Sequence, residues 1–237
     1  MKPITHTLRG FTLIEMAIVL AILALLIGGG LTVLSTQVEQ QRYKDTQRLL
    51  DEAKEALIGF AVINRRLPRP ATSATDGAER VAVCGPGAAG ETNCTGFIPW
   101  ADLGVNKLDA WGKIIRYSVT PAFADNNFVL DTDGTKIIQS RRLDNGAIVT
   151  LGTEIPAVVF SHGQRNFGTD SDGSAKGNTS VGNTNIDENA NDTGTTTFFS
   201  RTFNQNTAFP GGEFDDLVTW LSPAILANRM IQAGRLP

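Results

Sequence analysis

A run of nineteen residues without a charged side chain, Met16 to Leu34, limits the N-terminal part of this chain to very few structures. A helix needs about 20 apolar residues to cross the ~30 Å hydrocarbon layer of a membrane, so the run predicts a transmembrane helix. Lys2 and Arg9 precede it, and positive residues favour the cytoplasmic side, which places the N-terminus inside the cell. Of the 237 residues 19% are charged, and the part after the run has the composition of one water-soluble domain.

The boundary between polar and apolar residues differs from that of a secretory signal peptide. A signal peptide has an apolar core of about 7–15 residues, followed by a small-residue cleavage site. Here the run is longer, and Gly28-Gly29-Gly30 leads into further apolar residues. The boundary lies instead between Gly10 and Phe11, shortly before Glu15, the only carboxylate in this part of the chain.

The string Gly10-Phe11-Thr12-Leu13-Ile14-Glu15 resembles the processing motif of type IV pilins and of the pseudopilins of type II secretion. The resemblance implies that a prepilin peptidase cleaves after Gly10 on the cytoplasmic side and methylates the new amine of Phe11, while the helix is retained. It implies a bacterial inner-membrane protein that later joins a pilus or pseudopilus. The implied segments are a leader over 1–10, the transmembrane and assembly half of a long helix over 11–37, and a periplasmic or extracellular head over 38–237.

Glu15 is expected to have a cationic partner. Placing an ionised carboxylate near the core of a bilayer costs about 2.5–3.5 kcal/mol, and such carboxylates are usually paired with a cation. The first basic residue after Arg9 is Arg42, so the nearest cation is the amine of Phe11 that cleavage creates. That amine is within reach on one face of the same helix. It is also within reach from a neighbouring chain of a filament, which is the role that the resemblance implies. The other interpretation is a carboxylate at the headgroup boundary that has no role.

The helix is predicted to continue beyond the membrane as an amphipathic helix. Spacings of three and four residues separate the members of one apolar stripe, which are Leu49, Leu50, Ala53, Ala56, Leu57, Phe60 and Ala61. The stripe faces a core and leaves Glu52, Lys54 and Glu55 outside. The helix is expected to end at about Asn64, because prolines follow. For Gly28-Gly29-Gly30 two interpretations are open, a bend in the helix or a smooth patch for close helix packing.

The remaining pattern predicts an α+β head, in which an antiparallel sheet packs on the long helix and a short helix lies at the C-terminus. Alternating or continuous apolar runs mark the strands, and Asp-Gly and Asn-Gly mark the turns between them. The expected arrangement is a meander of about four or five strands. The strands of this meander are 115–119, 128–130, 136–139, 147–151 and 157–161, with turns at 131–134 and 145–146, and 213–220 is expected to be a last strand or a strand-like segment. Ser222-Pro223 predicts the start of a helix over 224–233, which Gly234 ends.

The head has two cysteines, Cys84 and Cys94, which flank a glycine-rich segment. In an oxidising compartment this spacing predicts a disulfide. A metal site would need further ligands that the neighbouring sequence does not offer.

The segment 163–212 is rich in Gly, Asn, Thr, Ser and Asp, which predicts a long loop that is either functional or disordered. It holds oxygen ligands of the kind that Ca²⁺ prefers, and major pseudopilins carry a calcium site in a comparable loop. The candidate calcium ligands are Asp170, Asp172, Asp187 and Glu188. Because no EF-hand spacing is present, a solvated acidic loop without a metal is the other interpretation.

The sequence does not support catalysis or nucleic-acid binding. Ser161 and His162 are adjacent, and adjacent side chains on a strand point to opposite faces, so they cannot form a nucleophile–base pair. We expect His162 to end a buried strand. The chain has 21 basic against 24 acidic residues and no basic run, so no nucleic-acid partner is expected.

These observations predict a structural subunit, either a minor type IV pilin or a pseudopilin of type II secretion. Its expected partners are the prepilin peptidase, other pilin or pseudopilin subunits, and the inner membrane. The alternative from another functional class is a surface-displayed binding module, such as an adhesin or a DNA-uptake receptor, on the same helix.

Overall fold

The computed structural model of the protein describes the backbone of residues 10–85 and 91–236, and the side chains in these ranges except those of 26–35 and 92. Of the predicted leader, only Gly10 lies within the described residues. The chain divides into two compact units, Met1–Arg42 and Tyr43–Pro237. The helices are α1 Leu13–Asn64, α2 Trp100–Leu103, α3 Pro121–Ala124, α4 Ile186–Thr193 and α5 Pro223–Gln232. The strands are β1 Thr95–Phe97, β2 Arg116–Val119, β3 Lys136–Arg141, β4 Ile148–Ile155, β5 Ala157–Ser161, β6 Thr197–Phe199 and β7 Leu217–Trp220.

The N-terminal unit contains the first part of α1. All side chains from 10 to 25 are exposed, including the apolar ones, with Leu13 at 90% and Val19 at 44%. The backbone stays helical through Gly28-Gly29-Gly30. Part of the predicted transmembrane run, residues 26–35, lies outside the described side chains. The helices, as far as their residues are described, include none that is long and apolar enough to span a membrane.

In the second unit, α1 buries the predicted apolar stripe. Its four fully buried members are Leu50, Ala53, Leu57 and Ala61. They recur every three or four residues, which confirms the predicted helical face. Lys54 departs from the prediction, because it is half-buried and its Nζ donates a hydrogen bond to Thr219 Oγ1 at 3.2 Å. The helix ends at Asn64, as predicted.

The main sheet has the strand order β1-β2-β5-β7, and all its neighbouring strands are antiparallel. The interior strand β5, which lies between β2 and β7, is buried along its whole length. Ala157 and Val159 belong to the core that α1 and α5 cover, whereas Val158 and Phe160 belong to a second core on the opposite face. Burial of both faces explains why β5 is a continuous apolar run. The predicted strands of this sheet, β2, β5 and β7, are confirmed.

The second sheet has the order β4-β3-β6. Its β3–β4 pair is the antiparallel hairpin that Asn145-Gly146 predicts, and Gly146 adopts the left-handed φ of +69°. In contrast, β6 lies parallel to β3. Ile138, Ile155 and Phe198 of this sheet pack against Val158 and Phe160 of β5 in the second core. The prediction of one antiparallel meander is therefore wrong, because the strands form two sheets.

The strand predicted at 128–130 is also absent among the described strands. Phe128 instead packs into the core on the helix side, where its ring centroid lies 4.8 Å from that of Phe123. An inward-facing aromatic residue in an irregular segment produces the same short apolar pattern as a strand, which explains the error.

The polar segment 163–212 is ordered by secondary structure of its own, namely α4 and β6. The prediction of a long loop is therefore wrong for 186–199, whereas 163–180 lies outside the helices and strands, as predicted. The segment has few apolar residues, but several of its polar side chains are buried and paired. Asp187, for example, is 1% exposed and forms ion pairs with both Arg141 and Arg201, each at 2.8 Å.

The C-terminal helix α5 begins at Pro223, as predicted, and buries Leu226 and Met230 in the helix-side core. Gly234 follows its end with a φ of +65°, a conformation that glycine adopts at low cost. The structure also joins Cys84 and Cys94 by the predicted disulfide, with both residues buried and their Cα atoms 4.9 Å apart.

Candidate functional site

The first candidate region is the start of α1. Thr12 directly precedes the helix. The backbone N–H and the hydroxyl of Thr12 both donate hydrogen bonds to Glu15 Oε2, each at 2.9 Å. In return, the Glu15 N–H donates to Thr12 Oγ1 at 3.3 Å. This reciprocal pair is a capping box, which satisfies two of the free N–H groups at a helix start. Glu15 is thus folded back over the beginning of its own helix.

The predicted cleavage position lies two residues before this capping box. Gly10 is exposed and not helical, and the Phe11 side chain is 81% exposed. In the uncleaved chain the Phe11 nitrogen is a peptide amide and carries no charge. The predicted ion pair between Glu15 and the Phe11 amine therefore belongs to the processed protein, and it stays a prediction.

The apolar side chains that follow Glu15 form a continuous exposed surface. Ile18, Leu20 and Ile22 are 54%, 62% and 53% exposed, and these positions surround the helix rather than follow one stripe. Large exposed apolar surfaces mark contacts with lipid or with other protein chains. The described part of this helix therefore offers a surface for such contacts on all sides.

The second candidate region lies in the head, where three buried carboxylates converge. Glu188, Asp215 and Asp216 are 1%, 4% and 2% exposed. Each contributes an oxygen atom to a group whose members lie within 4.8 Å of one another. We call these three residues the carboxylate cluster. Glu188 lies in the first turn of α4, where the helix dipole favours an acidic side chain, and the two aspartates lie directly before β7.

Hydrogen bonds fix the positions of the three carboxylates. Glu188 Oε1 accepts from the Asp215 N–H at 2.8 Å, and its Oε2 accepts from Asn166 and Asn185 at 2.8 and 2.7 Å. Asp215 Oδ2 accepts from two backbone N–H groups, both at 2.9 Å. Asp216 Oδ2 accepts from Asn191 Nδ2 at 2.7 Å. The other oxygen of each aspartate, Oδ1, is buried without a hydrogen-bond partner.

Burial of neighbouring carboxylates disfavours their ionised forms. Burial and the adjacent Glu188 raise the pKa of Asp215 to about 8. The same two causes raise the pKa of Asp216 well above its usual value. Lys113 lies in the same region with 3% exposure, and its Nζ donates to the backbone carbonyls of His162 and Asn166 at 3.2 and 2.9 Å. Burial lowers the pKa of Lys113, while the negative charges of Asp215 and Asp216 act in the opposite direction.

His162 follows β5 and borders the carboxylate cluster. It is 1% exposed, and neither ring nitrogen has a hydrogen-bond partner. Nδ1 lies 3.5 Å from Asp216 Oδ1, and Nε2 lies 3.6 Å from Asp192 Oδ1. Burial, followed by the positive charge of Arg116, lowers the pKa of His162 to about 3, so the imidazole is neutral at physiological pH. As expected, Ser161 is not its partner, because Ser161 Oγ donates to Asp109 Oδ2 at 2.6 Å.

The structure does not bring the four predicted calcium ligands together. Asp187 pairs with two arginines, Asp170 pairs with Lys176 at 2.9 Å, and Asp172 accepts from Ser174 Oγ at 2.6 Å. In the part of the chain that is described, the one group able to hold a metal ion contains only Glu188 of the four. Calcium itself stays a prediction.

The sequence analysis did not predict that Asp215 and Asp216 join Glu188 in one cluster, because both aspartates lie outside the polar segment 163–212. The available signal was two adjacent acidic residues between Phe214 and Leu217, a context in which both carboxylates become buried.

Comparison with known proteins adds one finding to this geometry. Residues 8–31 match the family model described as the prokaryotic N-terminal methylation motif. The match is consistent with the type IV pilin and pseudopilin family, and it implies an anchor in the membrane. No curated protein and no solved structure matches the chain.

Proposed function

We propose that this chain is a filament subunit, either a minor pilin of a type IV pilus or a pseudopilin of a type II secretion system. The observation that carries the proposal is the methylation motif at residues 8–31. It includes Gly10, Phe11 and Glu15 in the order that the prepilin peptidase reads, and an apolar helix follows directly. The role is structural, and we expect no catalytic activity.

The exposed apolar surface of α1 supports a role in assembly. Side chains from Leu13 to Leu25 are exposed on all sides of the helix. In the inner membrane they would contact lipid, with the N-terminus in the cytoplasm and the head in the periplasm. In a filament the same side chains would contact the helices of neighbouring subunits, so that one surface serves both states.

Glu15 would set the register of this packing. Cleavage after Gly10 creates an amine at Phe11, next to Thr12, whose N–H and hydroxyl already hold the Glu15 carboxylate in the uncleaved chain. An amine on a neighbouring subunit would form an ion pair with the same carboxylate, in which both partners are charged, whereas only the acceptor is charged in the capping box. Only one axial offset between helices satisfies that bond, so the pair favours one register.

The proposal is tested with Glu15→Val in cells that carry the assembly machinery. We expect normal cleavage after Gly10, measured by N-terminal sequencing, and normal membrane insertion, measured by fractionation. We expect at least a tenfold loss of the subunit from sheared filaments. Glu52→Gln, an exposed change later in α1, is the matched control and should incorporate normally. Normal incorporation of the Glu15→Val protein would refute the role of Glu15.

A further inference from the structure

The part of α1 in the second unit carries charged residues of opposite sign along one exposed side. Lys44 and Arg48 come first, Asp51 and Glu55 follow, and all four are exposed. We call the first two the basic band and the last two the acidic band. In the pairs Lys44–Asp51 and Arg48–Glu55 the residues lie seven positions apart. Seven residues are close to two helical turns, so the members of a pair point to nearly the same side.

This side of the helix is open in the described part of the head. The two bands line one shallow groove of about 610 Å³, and all its lining residues belong to α1. The helix α5 reaches only the end of the groove, where Arg229 lies 3.8 Å from Glu55. The buried apolar stripe, which includes Ala53 and Leu57, points to the opposite side of the helix. The head therefore leaves space for a second helix along the bands.

The ion pairs that these side chains form within the chain are exposed. Arg48 pairs with Glu52 at 2.8 Å, and the two side chains are 66% and 47% exposed. Asp51 pairs with Lys54 at 3.0 Å, but Lys54 also donates to Thr219 in the head. Because exposed ion pairs contribute little to stability, the charges of both bands are available to a second chain.

The order of the bands determines which arrangement of two copies is favourable. In the proposed topology every copy has its N-terminus in the cytoplasm, so neighbouring copies are parallel. If two exposed sides met without an axial offset, each band would face the same band of the other copy, and like charges repel. An offset of seven residues, about 10 Å along the helix, brings the basic band of one copy level with the acidic band of the other.

We propose that this side of α1 is a contact between copies of the chain that are offset by two helical turns. The basic band of one copy pairs with the acidic band of the next. Each copy thus presents its two bands to two different neighbours, and such a heterologous contact continues along a filament instead of closing into a dimer. The inference rests on the proposed function, and it names a part of the head that joins the subunits.

The first experiment reverses charges in cells that carry the assembly machinery. Asp51→Lys with Glu55→Lys makes both bands basic, and we expect at least a tenfold loss of the subunit from sheared filaments, because like charges then meet. Addition of Lys44→Glu and Arg48→Glu exchanges the two bands. The exchange restores opposite charges at the same offset and should restore incorporation.

The matched control is Asp131→Lys with Asp133→Lys, an equal change of charge at two exposed positions outside α1. It should incorporate like the wild type. Thermal unfolding of every variant is measured in detergent, and each Tm should stay close to that of the wild type, because all the changed positions are exposed.

The second experiment measures the offset with Lys44→Cys and Asp51→Cys in one chain. The Cα atoms of these positions are about 10 Å apart in the same helix, whereas a disulfide needs less than about 7 Å. Mild oxidation in cells should therefore join different copies into a ladder of multimers, and neither single cysteine variant should form dimers. Cys84 and Cys94 do not interfere, because they are buried and joined to each other.

Several results would overturn the proposal while the proposed function stands. They are normal incorporation of Asp51→Lys with Glu55→Lys, a loss that the exchange of bands does not restore, and the absence of a ladder although the wild type is in filaments. Dimers of a single cysteine variant would show a different offset, and a cross-link to another protein would show a different occupant. Absence of the wild type from sheared filaments would instead refute the proposed function, and this inference with it.

Discussion

Replacing Asn191 with alanine tests whether buried hydrogen bonds, rather than apolar packing, order the polar segment of the head. Asn191 lies in α4 and is fully buried. Its Nδ2 donates to Phe199 O at 3.0 Å and to Asp216 Oδ2 at 2.7 Å, while its Oδ1 accepts from the Phe199 N–H at 2.7 Å. One side chain thus connects α4, β6 and the carboxylate cluster.

The expected loss of stability follows from the groups that Asn191→Ala leaves behind. A buried group that loses its partner costs about 1–3 kcal/mol. Asn191 serves three such groups, of which the Phe199 N–H and the Asp216 carboxylate have the larger cost. We expect the free energy of unfolding to fall by about 3–5 kcal/mol, out of a total of about 5–15 kcal/mol. For a chain of this size the corresponding fall in Tm is about 10 °C.

The assay is thermal and urea unfolding of the full-length protein in detergent, followed by fluorescence of Trp100, Trp111 and Trp220, which all lie in the head. The matched control is Asn189→Ala, because Asn189 is exposed on the same helix and the exchange has the same effect on helix propensity. If Asn191→Ala is destabilised by no more than Asn189→Ala, buried hydrogen bonding does not order this segment, and the reasoning is refuted.

Two further predictions concern the start of the head. Burial alone would raise the pKa of Glu79, but hydrogen bonds from Arg66 and from the Arg69 N–H hold it below its usual value. The resulting stability is present above about pH 4.5 and is lost as the pH falls through the folded pKa. Glu79→Gln should therefore be less stable than wild type by about 0.5–1 kcal/mol at pH 7, and the difference should shrink as the pH is lowered, measured by urea unfolding. Removal of the disulfide by Cys84→Ser with Cys94→Ser should lower the free energy of unfolding by about 2–3 kcal/mol. A reductant should lower the Tm of the wild type but not that of the double variant. An equal fall in the Tm of both proteins would contradict the stabilising role of the disulfide.

The features that the sequence predicts correctly depend on neighbouring residues. The buried stripe of α1 follows from helical spacing, and the β3–β4 hairpin follows from Asn145-Gly146. In each case the residues that form the structure are close in the chain, so a local pattern contains the information.

The features that the sequence does not predict depend on contacts between residues that are far apart in the chain. The pairing of β6 with β3 joins strands that lie about sixty residues apart and run parallel, and nothing in a three-residue strand marks its partner. The carboxylate cluster joins residues 188, 215 and 216, whose proximity follows only from the contacts of α4 with the segment that precedes β7. Composition is misleading for this segment, because a polar segment is expected in water unless each polar group finds a partner inside the protein.

The buried polar contacts also determine how the second layer of the head unfolds. β6 pairs with only three residues of β3, and the side-chain bonds of Asn191 to Phe199 hold it there. Asn191 also bonds to Asp216, next to β7, and His162 touches both Asp216 and the ring of Phe160 in the second core. Because each contact positions the next, loss of one leaves buried groups unpaired at several others. The second sheet, α4 and the carboxylate cluster should therefore unfold together, as one cooperative unit attached to the main sheet.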